Sequence, residues 1–183
     1  MIQNVTVSYL QMLAHNGRAS SDTDQLEVQH VSRPTVTWYR FLYETIGAKW
    51  HWERRRGQSD AALRAIVHDS GMRLYVPYLD GTPICMIELS YRIPEEPELV
   101  NFGLMPESMG LGFGPRLLQW TIDLVWQELS VRRFWLHTCT LDHPRALAMY
   151  CDAGFEVYRT NAIQRNVRAN RFMLSRSSSV SRG

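Results

Sequence analysis

The stretch Glu98-LVNFGLMPESMGLGFGPRLLQWTIDLVWQE-Leu129 decides how the chain is read. Its first eight residues are mostly apolar and predict a strand over 98–105. Glycines then alternate at Gly110, Gly112 and Gly114. From about Pro115 to Leu129, the apolar residues Leu117, Leu118, Ile122 and Val125 recur at the spacing of an amphipathic helix. A helix start offers unpaired N–H groups and a partial positive charge, which suits phosphate. Glycines there remove side chains that would hold a ligand away. Taken alone, the turn reads equally well as punctuation between two elements. Two phosphate motifs fail on it. A GxGxxG frame started at Gly110 meets Pro115 at its third glycine, and one started at Gly112 meets Leu117. No Gly-Lys pair exists for a P-loop.

Upstream, residues 4–13 and 26–31 read as strands separated by a polar loop over 15–25. Pro34 opens a helical pattern through Ile46 that stops at Gly47, and Ser59 caps a second helix that ends before Gly71. Strands follow over 72–79 and 83–91, joined by Asp80-Gly81, a hairpin signal. Downstream come a strand over 133–139, a helix over 144–152 ending at Gly154, and a strand over 155–159. Beyond Asn161 the pattern fades, and the serine-rich tail 175–183 is expected to be disordered. The fold class expected is a mixed α/β (α+β) single domain over residues 1–174.

Composition sets limits on function. The chain has 183 residues, 45% hydrophobic and 21% charged, which fits one globular core. Net charge is only +2, so nothing demands a polyanionic partner such as nucleic acid. Cys85, Cys139 and Cys151 are odd in number and without a CxxC pair, which argues against both disulfides and a thiolate zinc site. His137, Cys139 and His143 have no accompanying carboxylate cluster, so no metal is expected, and His137 reads as a histidine satisfied in the core. No basic-apolar leader and no apolar run of about 18–20 residues is present, so the cytoplasm is expected by exclusion and no membrane partner is foreseen.

With these elements in order, the chain resembles the GCN5-related N-acetyltransferases. Their cofactor motif, Q/R-x-x-G-x-G/A, is similar to Met109-Gly110-Leu111-Gly112-Phe113-Gly114, with Met109 in place of the usual Gln or Arg. Pro115 also removes one N–H from the helix start. A later family motif, A-x-x-x-Y-x-x-x-G-F, is matched by Ala146, Tyr150, Gly154 and Phe155, and His143 stands where Asn is common. The similarity covers roughly 30–160 and includes the block over 38–52. It implies a central, mostly antiparallel sheet flanked by about four helices, splayed between the strands at 98–105 and 133–139, the fourth and fifth in the family's count. It implies acetyl-CoA as co-substrate and an amine as acceptor, attacked directly in a ternary complex. The resemblance places acetyl-CoA along Phe102, Gly103, Leu104, the Met109–Gly114 turn and His143, with Gly103 allowing a bulge or a close ligand approach. His143 reads equally as a cap of the following helix.

Acetyl transfer needs an uncharged amine, a polarised thioester carbonyl and a protonated leaving thiolate. Glu98, fourteen residues before Gly112, has the spacing of the family's general-base glutamate. Glu88 is the rival carboxylate, because Cys85, Ile87 and Leu89 share one strand face and Glu88 the other. The resemblance makes Tyr150 the general acid. Trp50, His51, Trp52 and Arg54-Arg55-Arg56 lie in the loop expected to form the acceptor wall, unless the tryptophans are core and the arginines a solvated face. The expected partner is a small-molecule or peptide amine; a homodimer is left open. A non-catalytic acyl-CoA sensor of the same fold is the alternative, prompted by Met109 and Pro115.

Overall fold

The computed structural model describes residues 1–18 and 25–166. The serine-rich tail and part of the polar loop over 15–25 lie outside them. In chain order the elements are β1 (Ile2–Met12), β2 (Glu27–His30), α1 (Val36–Gly47), a 3-10 turn (Ala48–Trp50), α2 (Asp60–Val67), β3 (Met72–Leu79), β4 (Thr82–Pro83), β5 (Cys85–Ser90), β6 (Glu98–Leu104), α3 (Phe113–Trp126), β7 (Phe134–Cys139), α4 (Ala146–Asp152) and β8 (Glu156–Asn166). A second short 3-10 turn, Pro106–Ser108, precedes α3.

The strands form one sheet in the order β2-β3-β5-β6-β7-β1-β8, with β4 paired to β3. Every pairing is antiparallel except β6 with β7, whose connection runs through α3. That parallel ladder joins Glu98 to Trp135 and Leu99 to Leu136. Beyond those two pairs the strands part, so the sheet is forked at its middle.

Each face of the sheet carries its own core. On one side Leu117, Leu118, Ile122 and Val125 of α3 pack with Ile87, Leu89, Leu99, Phe134 and Leu136 from the strands. On the other, the stripe Tyr39, Leu42, Tyr43 and Ile46 of α1 packs with Leu63 and Val67 of α2 and with Val76 and Met86. The two layers explain why β5 is buried along nearly its whole length. The second cluster draws no residue from β7, β1 or β8. On that face the helices cover only the β3–β5–β6 half.

The strand expected over 83–91 is two pieces, since its register against β3 slips by one residue between the pairs Tyr78–Pro83 and Tyr75–Ile87. The helix expected at Pro115 starts two residues earlier, because Gly112 forms its N-cap in the left-handed region, φ 83°. Pro115 is thus its third residue, where an N–H has no intrahelical acceptor and a proline costs nothing in the ladder. The last strand runs on to Asn166 because β1 supplies partners along its whole length, down to the pair Ile2–Asn166. This edge strand is exposed almost throughout, which is why its apolar pattern fades in the sequence.

Candidate active site

The fork between β6 and β7 opens into a cavity of about 750 Å³. The main chain of β6 past Leu99 and of β7 past Leu136 has no partner strand across the gap. The glycine turn and the starts of α3 and α4 line one end, and Tyr43, Trp50, Trp52 and Arg54 line another part of the wall.

At the turn, Gly110 and Gly112 hold φ of 80° and 83°, a region unfavourable to side chains with a Cβ. Among the described residues, the N–H groups of Gly110, Leu111, Gly112, Phe113 and Gly114 donate to no main-chain acceptor. These unpaired donors stand at the head of a 14-residue helix, which adds its partial positive charge. Arg116, at the start of α3, and Arg145, at the start of α4, also line the cavity. Such a donor set fits the phosphates of a nucleotide-bearing thioester. Leu111 turns outward and Phe113 inward into the core, so the two contribute backbone rather than side chains. Met109 N–H is directed back to the Pro106 carbonyl at 3.4 Å.

Phe102, Gly103, Leu104 and His143 also line the cavity. The close approach at Gly103 is made by the protein itself, since a Cβ there would stand 2.3 Å from Ile46 Cγ2 and 3.0 Å from the Trp52 ring. The β6 bulge lies elsewhere, opposite Glu88 and Leu89. His143 accepts the Arg145 N–H on Nδ1 at 3.1 Å, and its ring meets Trp50 edge-on at 4.9 Å. That contact joins the loop after α1 to the turn before α4.

Tyr150 lies on α4, where the cavity wall meets the core. Its ring packs edge-on to Phe155 at 6.2 Å. Burial first, then the charge of Asp142 and a smaller influence of Cys85, pushes the phenol well above its ordinary range. It is therefore held as the neutral O–H.

The two glutamates occupy different places. Glu88 is buried in the α1-side core, where Oε1 meets Arg55 Nη2 at 2.7 Å and Oε2 accepts the Tyr39 hydroxyl at 2.7 Å and the Asn101 amide. It is not among the cavity-lining residues. Arg55 is thus neither acceptor wall nor solvated face but a tie from the loop to the sheet. Glu98 stands where the β6–β7 ladder begins, with Oε1 3.3 Å from His137 Nδ1. Glu98 does not line the cavity, whereas His137 does.

His137 corrects the expectation of a core histidine, since its side chain is 36% exposed. The alternation of Phe134 and Leu136 with Trp135, His137 and Cys139 carried the signal, because the first two point into the α3-side core. The Arg55–Glu88–Asn101 network left no such trace, as it joins a loop to two strands. Among the described residues no group of three or more His, Cys, Asp or Glu side chains could hold a metal ion. Nor is any described helix long and apolar enough to cross a membrane.

Residues 36–155 match the Acetyltransferase (GNAT) family. No curated protein matches the chain. Solved structures of similar fold include a GCN5-related N-acetyltransferase from Sphaerobacter thermophilus, with TM-score 0.64 and 13% identity over 91% of this chain and 53% of that one. Spermidine N-acetyltransferase from Vibrio cholerae, in complex with CoA and spermine, has TM-score 0.58 and 19% identity over 78% and 96%. An aminoglycoside acetyltransferase from an uncultured soil metagenomic sample has TM-score 0.57 and 12% identity over 72% and 89%. Several of the matching structures are much longer, and the chain spans 51% to 64% of their length.

Proposed function

Because the chain belongs to the Acetyltransferase (GNAT) family, we propose that it transfers the acetyl group of acetyl-CoA to a primary amine by direct attack in a ternary complex. The observation that carries this reading is the row of unpaired N–H groups over 110–114, set at one end of a cavity that enters the β6–β7 fork. Acetyl-CoA supplies an activated acyl group on a thiol leaving group. The turn donors with Arg116 and Arg145 hold its phosphates, and the main chain from Phe102 to Leu104, open on the side facing β7, aligns the thioester arm. Tyr150 gives its phenolic proton to the departing sulfur. The acceptor amine enters along Trp50, Trp52 and Arg54, and its proton is lost toward Glu98 rather than Glu88, whose oxygens are already engaged. The relatives named for spermidine and aminoglycosides make amines the class to test first.

A second reading is an acyl-CoA sensor, favoured by Met109 in the turn and the N–H missing at Pro115. The test is to heat the protein with acetyl-CoA and to follow CoA thiol release with an amine panel. Protection together with thiol release supports the transferase. Protection without release by any amine supports the sensor, and no protection overturns both.

A further inference from the structure

We infer that His137 is the group that takes the acceptor's proton, and that Glu98 is a positioning residue acting through it; this rests on the transferase reading above. The geometry of the fork carries the inference. Leu99 and Leu136 both face the α3-side core, so Glu98 and His137, their chain neighbours, emerge on the opposite face. They meet there at 3.3 Å, Oε1 to Nδ1, with Glu98 in the first pair of the two-pair ladder and His137 one residue past its last. Only His137 reaches the cavity wall. A carboxylate beside Nδ1 favours the tautomer that carries its proton on that nitrogen. Nε2 then keeps its lone pair, as general-base chemistry requires. The Tyr9 ring, 5.9 Å away on β1, flanks the imidazole on its other side.

The step balances without a further reactant. The acceptor ammonium gives one proton to Nε2 and becomes a neutral amine. Its nitrogen lone pair forms the bond to the acetyl carbon, and a second N–H proton is shed to solvent as the amide forms. The C–S bond breaks with its electron pair on sulfur, which takes a proton from Tyr150. Solvent then returns a proton to Tyr150 and removes the one on Nε2.

The test compares His137→Ala, Glu98→Gln and the double variant. Acetyl-CoA is the donor, and spermidine, an aminoglycoside, an amino-acid amide and a short peptide are the acceptors. His137→Ala should lower kcat about 100-fold or more, the low end of what a positioned base contributes. Heat protection by acetyl-CoA should stay unchanged, and free imidazole should restore part of the rate. Glu98→Gln should cost less than His137→Ala, and the double variant should be no slower than His137→Ala alone. Two results would transfer the role to Glu98 itself: His137→Ala keeping the full rate, or Glu98→Gln being the slower variant with no imidazole rescue. If acetyl-CoA protects the wild type but no amine releases thiol, no acceptor proton is moved and the inference falls while CoA binding stands. If acetyl-CoA neither protects nor reacts, the transferase reading itself falls.

Discussion

Arg55 and Glu88 form an ion pair closed off from solvent, with Nη2 2.7 Å from Oε1 and both side chains less than a tenth exposed. The pair ties the loop after the 3-10 turn to β5; that loop carries Trp52 and Arg54 on the cavity wall, and the turn itself carries Trp50. Tyr39 and Asn101 bind the other carboxylate oxygen, so the group joins α1, the loop and two neighbouring strands. Removing one partner leaves the other charge buried and unpaired. Glu88→Ala or Arg55→Ala is expected to cost about 3–5 kcal/mol, seen as a lower urea midpoint at unchanged slope. Replacing both by apolar residues of similar volume should recover much of that loss. A double variant as unstable as either single one would show that the network does more than neutralise charge.

Tyr43 predicts alkaline behaviour. Burial is the main reason its phenol is pushed up from its ordinary value of 10.0 to about 12, against lowering by Arg55. The unfolded chain therefore loses this proton at lower pH than the folded one. Stability from the neutral phenol is present in full below pH 10 and declines as pH rises toward 12. The shift corresponds to an order of about 3 kcal/mol. Tyr39 and Tyr150 are shifted in the same direction by burial and add to the effect. Unfolding midpoints measured across this range should drop steeply, and Tyr43→Phe should flatten the drop.

Gly112 tests the turn. A Cβ there would meet nothing within 4 Å, so any penalty is conformational. With φ at 83°, Gly112→Val should destabilise by about 1–2 kcal/mol and weaken acetyl-CoA protection. Gly112→Asn should be milder, because asparagine tolerates the left-handed region. Equal losses for the two variants would point to a steric cause instead.

Gly103 makes the contrasting case, where space rather than backbone angle is at stake. A Cβ would lie 2.3 Å from Ile46 Cγ2, so Gly103→Ala should push α1 off the sheet and cost about 1–3 kcal/mol. Trimming the opposing side chain, in Gly103→Ala with Ile46→Ala, should return part of that loss in thermal unfolding.

Tyr150→Phe separates acid catalysis from packing. The ring stays in the core, so stability and acetyl-CoA protection should change little, while kcat falls about 100-fold. Burial pushes the phenol above its ordinary value of 10.0, so the dependence on Tyr150 should persist past pH 10. An unchanged kcat would remove it as the proton donor.

Much of this was legible before the fold was known. The strand expected over 72–79 became β3 with the same ends, and Ser59 caps α2 by accepting the Ala62 N–H. These features are local: a few neighbouring residues decide them by steric fit and hydrogen bonding. The length of β8 was not legible, because its partners on β1 lie more than 140 residues away and its own side chains face water. The placement of Glu88 was half legible. Its strand face followed from period two, but whether that face met solvent or a helix depended on α1.

By itself the sequence determined the order of the elements, the glycine turn at the start of α3, and the strand parity that puts Glu88 opposite the apolar face of its strand. Those follow from backbone sterics and the periods of helix and strand. Only the tertiary structure decided that β6 and β7 pair for two residues and then part, that Arg55 neutralises Glu88, and that His137 comes between Glu98 and the cavity. Each of these is a meeting of segments distant in sequence, fixed by how two cores share one sheet, and no local pattern encodes such a distance.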